Sequence, residues 1–323
     1  MTAGPPVPRS RRGAVPPPVQ LQERVKGLVP PGLRRLAKEA VRGYGVLTAP
    51  LRTLPDFMII GTKRGGTTSL FNYLLDHPNV APLFPSAANI KGVHYFDRKF
   101  RKGPAWYRSH FPTALSRSLA RRRAPRIVGE ASPYYLASPG AARRARKLVP
   151  NTKLIVLLRN PVERAYSHYK ERRRNNVEPL SFEDALRREE ERLAGEVERM
   201  LEEPEYVSYA HEHYSYVRQG IYLPQIQAWM AEFPRQQFFV IRSEDLFEDP
   251  GKWYQQVLRF LGLPAWDPPD FRRFNFHPAK DMPLSQREEL SAFYRPHNEL
   301  LSDFLGIDLA WDDHAPQQDQ NGA

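Results

Sequence analysis

Residues 56–78 read DFMIIGTKRGGTTSLFNYLLDHP, and the way this stretch divides decides the fold. Phe57, Met58, Ile59 and Ile60 form a short apolar run that breaks at Gly61. After a turn of glycines and threonines, Leu70, Phe71, Leu74 and Leu75 return at helical spacing. That is a strand, a loop and a helix. Glycines let backbone N–H groups converge on an anion and a helix N-terminus adds partial positive charge, so the loop has the makings of a phosphate cradle. Gly61 and Gly66 even keep the G-x-x-x-x-G spacing of nucleotide triphosphatases, but Thr67 follows where those need a lysine for the β and γ phosphates. The cations stand earlier, at Lys63 and Arg64, an arrangement that suits a terminal group on a 5′ phosphate better than a metal-bound triphosphate.

A second motif stands about a hundred residues on. Lys153–Leu158 (KLIVLL) is the clearest buried strand, and it leads into Arg159-Asn-Pro-Val-Glu-Arg-Ala-Tyr-Ser167. Asn160 as N-cap, Pro161 at N1 and Glu163 at N3 form a capping-box pattern that specifies a helix start. Arg159 then stands at the strand tip. Ser167, two helical turns beyond the cap, returns to the same face, so guanidinium and hydroxyl can grip one phosphate together.

With these two motifs in order, each at a strand end and a helix start, the chain resembles the sulfotransferases that use 3′-phosphoadenosine 5′-phosphosulfate (PAPS), in particular their carbohydrate-modifying, heparan sulfate-type branch. The first motif is similar to their 5′-phosphosulfate loop and the second to their 3′-phosphate element. The resemblance runs from about Pro55 to Asp308 and takes in VHYFD, GEASPYY, GIYLPQIQAWMAEFP, FFVIRSEDLFEDP and PHNELLSDFLG. It implies an α/β fold, a P-loop-like three-layer sandwich with a central, mostly parallel sheet flanked by helices.

The same resemblance implies in-line transfer of a sulfuryl group from PAPS to the hydroxyl of a carbohydrate, glycolipid or hydroxylated metabolite, releasing adenosine 3′,5′-bisphosphate. Lys63, Arg64 and the backbone of Gly65, Gly66, Thr67, Thr68 and Ser69 are then expected at the phosphosulfate. Arg159 and Ser167 are expected at the 3′ phosphate. The family's catalytic lysine aligns on Arg64 with Lys63 beside it, and which of the two is the catalytic cation stays open. The heparan sulfate enzymes use a glutamate two residues before the histidine of V-H-F-F-D; here Gly92 stands there and cannot take a proton. His94 becomes the first candidate base, because an unperturbed histidine titrates at about 6.5. Glu130, at the end of the strand RIVGE, is the second; a carboxylate there could equally cap the following turn. No metal is expected.

The rest of the chain bounds these expectations. Its 323 residues, 41% hydrophobic, allow one large domain or two small ones with a sizeable core. The absence of cysteine rules out disulfides and thiolate chemistry and suits a reducing compartment, and with neither a membrane-length apolar run nor a secretory h-region the expected location is cytoplasmic. Of the net charge of +12, residues 1–54 carry +8, from ten Lys or Arg against Glu23 and Glu39, so nucleic-acid binding is not expected of the core. Residues 1–30, basic and proline-rich, read as disordered; 31–54 as a basic helix and linker, with peripheral membrane contact through 31–44 as an alternative to packing on the domain. The sulfotransferase-like domain spans 55–310, with 178–215 a charged, exposed helical insertion near the acceptor and 311–323 a frayed tail.

Within that domain, the aromatic and basic stretch His94, Tyr95, Phe96, Trp106, Tyr107, Arg108, His110 and Phe111 could stack on a sugar or simply cover the sheet. His211 and His213 form an H-x-H pair that lacks a third metal ligand. Arg121–Arg123 reads as a solvated loop. Two other functions compete with sulfuryl transfer: a P-loop kinase or triphosphatase, and a protein that binds a nucleotide or glycan without turning it over.

Overall fold

In the computed structural model, residues 31–119, 126–203, 205–274 and 282–311 are described. The expectations for the leader 1–30, for Arg121–Arg123 and for the tail after Trp311 lie outside them. The chain divides into two compact units between Tyr44 and Gly45. In the first, residues 31–44 are helical, the larger part of α1 (Pro31–Leu47).

The second unit is built on five strands: β1 (Phe57–Gly61), β2 (Val80–Ala81), β3 (Ile127–Ala131), β4 (Lys153–Leu158) and β5 (Phe238–Arg242). They pair in the order β2-β3-β1-β4-β5, and every pairing is parallel. The reason lies in the strand sequences. All five residues of β1 are buried, as are five of the six in β4, and strands apolar on both faces can sit only between two helical layers.

Alternation along the strands sorts the core. Met58, Ile60, Leu154, Val156 and Leu158 face one layer with Tyr107, Tyr222 and Trp229. Phe57, Ile59, Ile155, Leu157 and Ile241 face the other, packing on Leu70 and Leu74 of α2 (Thr67–Asp76) and on Tyr254 and Leu258 of α5 (Pro250–Leu261). Tyr95, Phe96, Tyr107 and Phe111 are core residues, so packing rather than sugar stacking accounts for those four.

β1 is central, with β3 on one side and β4 on the other, so the chain reverses direction across the sheet at its C-terminal end. In an open parallel sheet a ligand crevice forms at that point. Both motifs lie there, because only five residues separate β1 from α2, and two separate β4 from α4 (Pro161–Arg174).

The start of α4 differs from the expected capping box. Asn160 Oδ1 accepts from the N–H groups of Val162 and Glu163 (3.0 and 3.4 Å), as a cap should. Glu163 does not reach back; its carboxylate meets Arg287 at 2.5 Å. The N–H of Asn160 goes instead to Glu244, 2.9 Å away and just beyond β5, so the cap is completed through the sheet. Two further helices are α3 (Ala141–Leu148) and α6 (Leu284–Leu305).

The 178–215 region carries short helices at Phe182–Arg187, Glu189–Leu193, Glu196–Glu202 and Tyr209–His213. It is not simply exposed. Glu178 and Glu189 are buried, the first against Arg192 and Tyr216, the second against the N–H groups of Tyr216, Val217 and Arg218.

Candidate active site

Lys63, Arg64, Gly66, Thr67, Thr68, His94 and Arg159 line one cavity of about 620 Å³ at the C-terminal end of β1. Arg64 (φ 73°) and Gly66 (φ 85°) both take left-handed backbone, which makes the loop turn sharply enough to aim the start of α2 inward. A side chain at Gly66 would also run into Phe247, 2.6 Å from an added Cβ. The N–H of Gly65 is committed to Thr62 O (2.9 Å) and that of Ser69 to Gly66 O (2.9 Å). The N–H groups of Gly66, Thr67 and Thr68 are left without a protein partner among the described residues, in the cavity wall at a helix N-terminus.

The two motifs are physically joined. Arg64 Nε donates to Ser167 Oγ (3.0 Å), and Arg159 donates to the carbonyl of Arg64 (3.1 Å). Ser167 is 2% exposed and lies beneath Arg64 rather than in the wall. Ser69 is likewise inside, its Oγ accepting from Phe274 N (2.9 Å).

A network of charges that sequence reasoning did not single out surrounds these groups. Glu171 lies 3.5 Å from Arg64 and 3.1 Å from Arg172; Glu212 pairs with Arg98, and its carbonyl accepts from Lys63 (3.0 Å). Burial pulls the Lys63 ammonium down to about 7, with Arg172 adding to the fall and Glu212 opposing it. Burial would raise Glu171, but Arg64, Arg172 and Lys63 outweigh it and hold its carboxyl below the usual range. Lys91 also reaches the wall, its Nζ donating to Thr67 Oγ1 (3.0 Å) and Thr68 Oγ1 (2.7 Å). These partners come from distant helices whose charged runs look solvated in sequence. Lys91 and Asp97, close on either side of His94, are the two a reader could have found.

The two candidate bases separate clearly. His94 faces the cavity with its Nδ1 2.8 Å from Asp97 Oδ2, and the Asp97 side chain is fully buried. An ionised carboxylate there accepts from Nδ1–H, which leaves Nε2 as the ring's open acceptor. Glu130 is 0% exposed and occupied, accepting from Val93 N (2.7 Å), Ser132 Oγ (2.7 Å), Tyr107 Oη (2.7 Å) and Tyr135 Oη (3.1 Å). It braces the tip of β3 and is out of an acceptor's reach. Gly92 lies flush on that tip; an added Cβ would stand 2.4 Å from Ala131 O, so this backbone has no room for the glutamate of the heparan sulfate enzymes.

His211 and His213 do not converge. His211 meets Tyr134 Oη at 2.7 Å, while His213 meets Arg172 at 2.6 Å in the cavity wall. No group of three potential metal-binding side chains is found among the described residues.

The family model described as "Sulfotransferase domain" matches residues 54–299. Similar curated proteins include mouse heparan sulfate glucosamine 3-O-sulfotransferase 6, 29% identical over 305 residues (84% of this chain, 78% of that protein). Mouse heparan sulfate glucosamine 3-O-sulfotransferase 3B1 is 29% identical over 287 residues (81% of this chain, 66% of that protein). Among solved structures, a sulfotransferase from Alicyclobacillus acidocaldarius is 30% identical with a TM-score of 0.60, covering 80% of this chain and 99% of that one.

Proposed function

The chain belongs to the sulfotransferase domain family, and from that premise we propose that it takes the sulfuryl group from PAPS and delivers it to a hydroxyl of a carbohydrate-type acceptor, with His94 as general base. The donor set fits such a ligand. Lys63, Arg64 and Arg159 supply fixed cations, and the N–H groups of Gly66, Thr67 and Thr68 supply donors around a cavity large enough for a nucleotide. Arg159 is the group for the 3′ phosphate. Ser167, bonded to Arg64, positions that guanidinium between the two ends of the donor.

Charge grows on the departing phosphate and on the sulfuryl oxygens during transfer, and cations already held in place need no reorganisation to meet it. His94 Nε2 takes the acceptor's proton while Asp97 holds the ring in place. The carbohydrate acceptor is supported by the activity named for the heparan sulfate relatives. A glycolipid or another hydroxylated metabolite offers the same chemistry.

The joining of the two phosphate motifs through Arg64 carries this reading. Calorimetric titration with adenosine 3′,5′-bisphosphate, adenosine 5′-monophosphate and ATP with Mg²⁺ tests it. Clear preference for the bisphosphate is expected, falling by about 10- to 100-fold in Arg159→Ala, the worth of one charge-assisted phosphate contact. Equal or tighter binding of ATP with Mg²⁺ would return the loop to the triphosphatase class, and bisphosphate binding without transfer of label from PAPS to any hydroxyl would favour a binding protein.

A further inference from the structure

Lys91 is a cation of the cavity wall that rests on neutral groups. Lys63 lies 4.0 Å from the Glu212 carboxylate, Arg64 3.5 Å from Glu171, Arg159 3.9 Å from Glu163 and Arg172 3.1 Å from Glu171, while Arg98 pairs with Glu212. Among the described residues no carboxylate stands within ion-pair distance of Lys91. Its Nζ rests on two neutral hydroxyls, those of the first two residues of α2, beside the N–H groups that have no protein partner. An ammonium held off water on neutral acceptors, close to other cations, gains most from an arriving anion.

The backbone explains how it reaches this place. The Lys91 carbonyl accepts from Ala131 N (2.9 Å), and Gly92 sits against Ala131 O where no Cβ fits. The chain is thereby pressed onto the end of β3, and the Lys91 stem spans from there to the start of α2. Without a Cβ, Gly92 lets the chain lie this close to the end of β3.

We propose that Lys91 is a catalytic residue of the transfer, binding the 5′ phosphate of the donor and giving a proton to the oxygen that leaves the sulfur. The assignment rests on the PAPS reading above. As the acceptor oxygen bonds to sulfur and the sulfur–oxygen bond to the 5′ phosphate breaks, His94 takes the acceptor's proton and the Lys91 ammonium gives one to the departing phosphate. The two residues then exchange that proton through solvent, so none is gained or lost overall. Burial, with Arg64 adding and Glu171 opposing, pulls Lys91 down to about 7, which makes it a far readier proton donor than an ordinary lysine.

The test is calorimetric titration of wild type, Lys91→Met and Lys91→Arg with adenosine 3′,5′-bisphosphate and with adenosine 3′-monophosphate, at pH 8 in buffers of different ionisation enthalpy. Lys91→Met is expected to weaken the bisphosphate by about 10- to 100-fold, the worth of a charge-assisted hydrogen bond, while changing the 3′-monophosphate by less than about twofold. Wild type is expected to take up protons on binding the bisphosphate, because an amine largely neutral at that pH recharges against the phosphate. Lys91→Arg keeps the charge without titrating, so it should retain most of the affinity and lose Lys91's share of the uptake. A merely structural role for Lys91 would weaken both ligands equally. That result, or unchanged affinity and uptake in Lys91→Met while wild type still prefers the bisphosphate, overturns the assignment and leaves the PAPS reading standing; loss of that preference in wild type overturns both.

Discussion

His94 sits at φ 54°, a left-handed conformation that costs a non-glycine residue energy, and it is held there by its own N–H to Ser132 Oγ (3.0 Å) and by Asp97 on its ring. The strain turns the imidazole toward the cavity instead of into the aromatic core that takes Tyr95 and Phe96. His94→Gln, which keeps hydrogen-bonding capacity without a titrating base, is expected to cut kcat by about 10²- to 10⁴-fold and leave bisphosphate affinity nearly unchanged. Asp97→Asn acts only through the orientation of the ring, so it should lower kcat less than His94→Gln does. A kcat unaltered by Asp97→Asn would separate the pair. At this scale the contact between His94 and Asp97 has a local signal, since VHYFD carries the two residues three apart. Glu130 was half legible: Ser132 and Tyr135 lie in the turn that follows it, while Val93 and Tyr107 come from segments that no spacing announces.

The elements show how far local signals carry. β1 and β4 were readable to within a residue from their apolar runs, whereas β2, two residues long and paired among the described residues with β3, has no period to read. The cap of α4 was half legible: Asn160 caps as its identity implies, but its own N–H is met by Glu244 from beyond β5, a contact that exists only once the sheet has formed. Glu130 belongs to the same class of cross-element braces. It ties the end of β3 to Val93, Tyr107, Ser132 and Tyr135, and burial raises its pKa against the pull of those donors. Glu130→Ala leaves four buried donors unmet and is expected to cost about 2–4 kcal/mol, read as a lower Tm. Glu130→Gln, which keeps an accepting oxygen, should lose less. Were Glu130 the base, Glu130→Gln would instead abolish kcat at an unaltered Tm.

Across the whole molecule, the catalytic sheet and the 178–215 region meet at the cavity, where Glu212 and His213 stand beside Lys63 and Arg172. What holds that region is a carboxylate that looks solvated in the run Glu189-Glu-Glu-Arg192. Glu189 is 3% exposed and accepts from three successive N–H groups, those of Tyr216, Val217 and Arg218, at 2.8 to 2.9 Å. Burial still wins over those donors and lifts its carboxyl to about 7. A folded-state value above the unfolded one means that the native protein holds this proton longer than the unfolded chain does. The stability tied to it is therefore complete below the ordinary value of about 4.5 and is lost as pH rises through about 7. Glu189→Gln cannot titrate, so its Tm relative to wild type should climb from pH 5 to pH 7 and level off above pH 8. Thermal melts of both proteins across that range decide the matter. A difference that does not vary with pH would mean that Glu189 is ionised throughout, its three N–H donors outweighing burial, and that the region is clamped by a charge rather than by a shared proton.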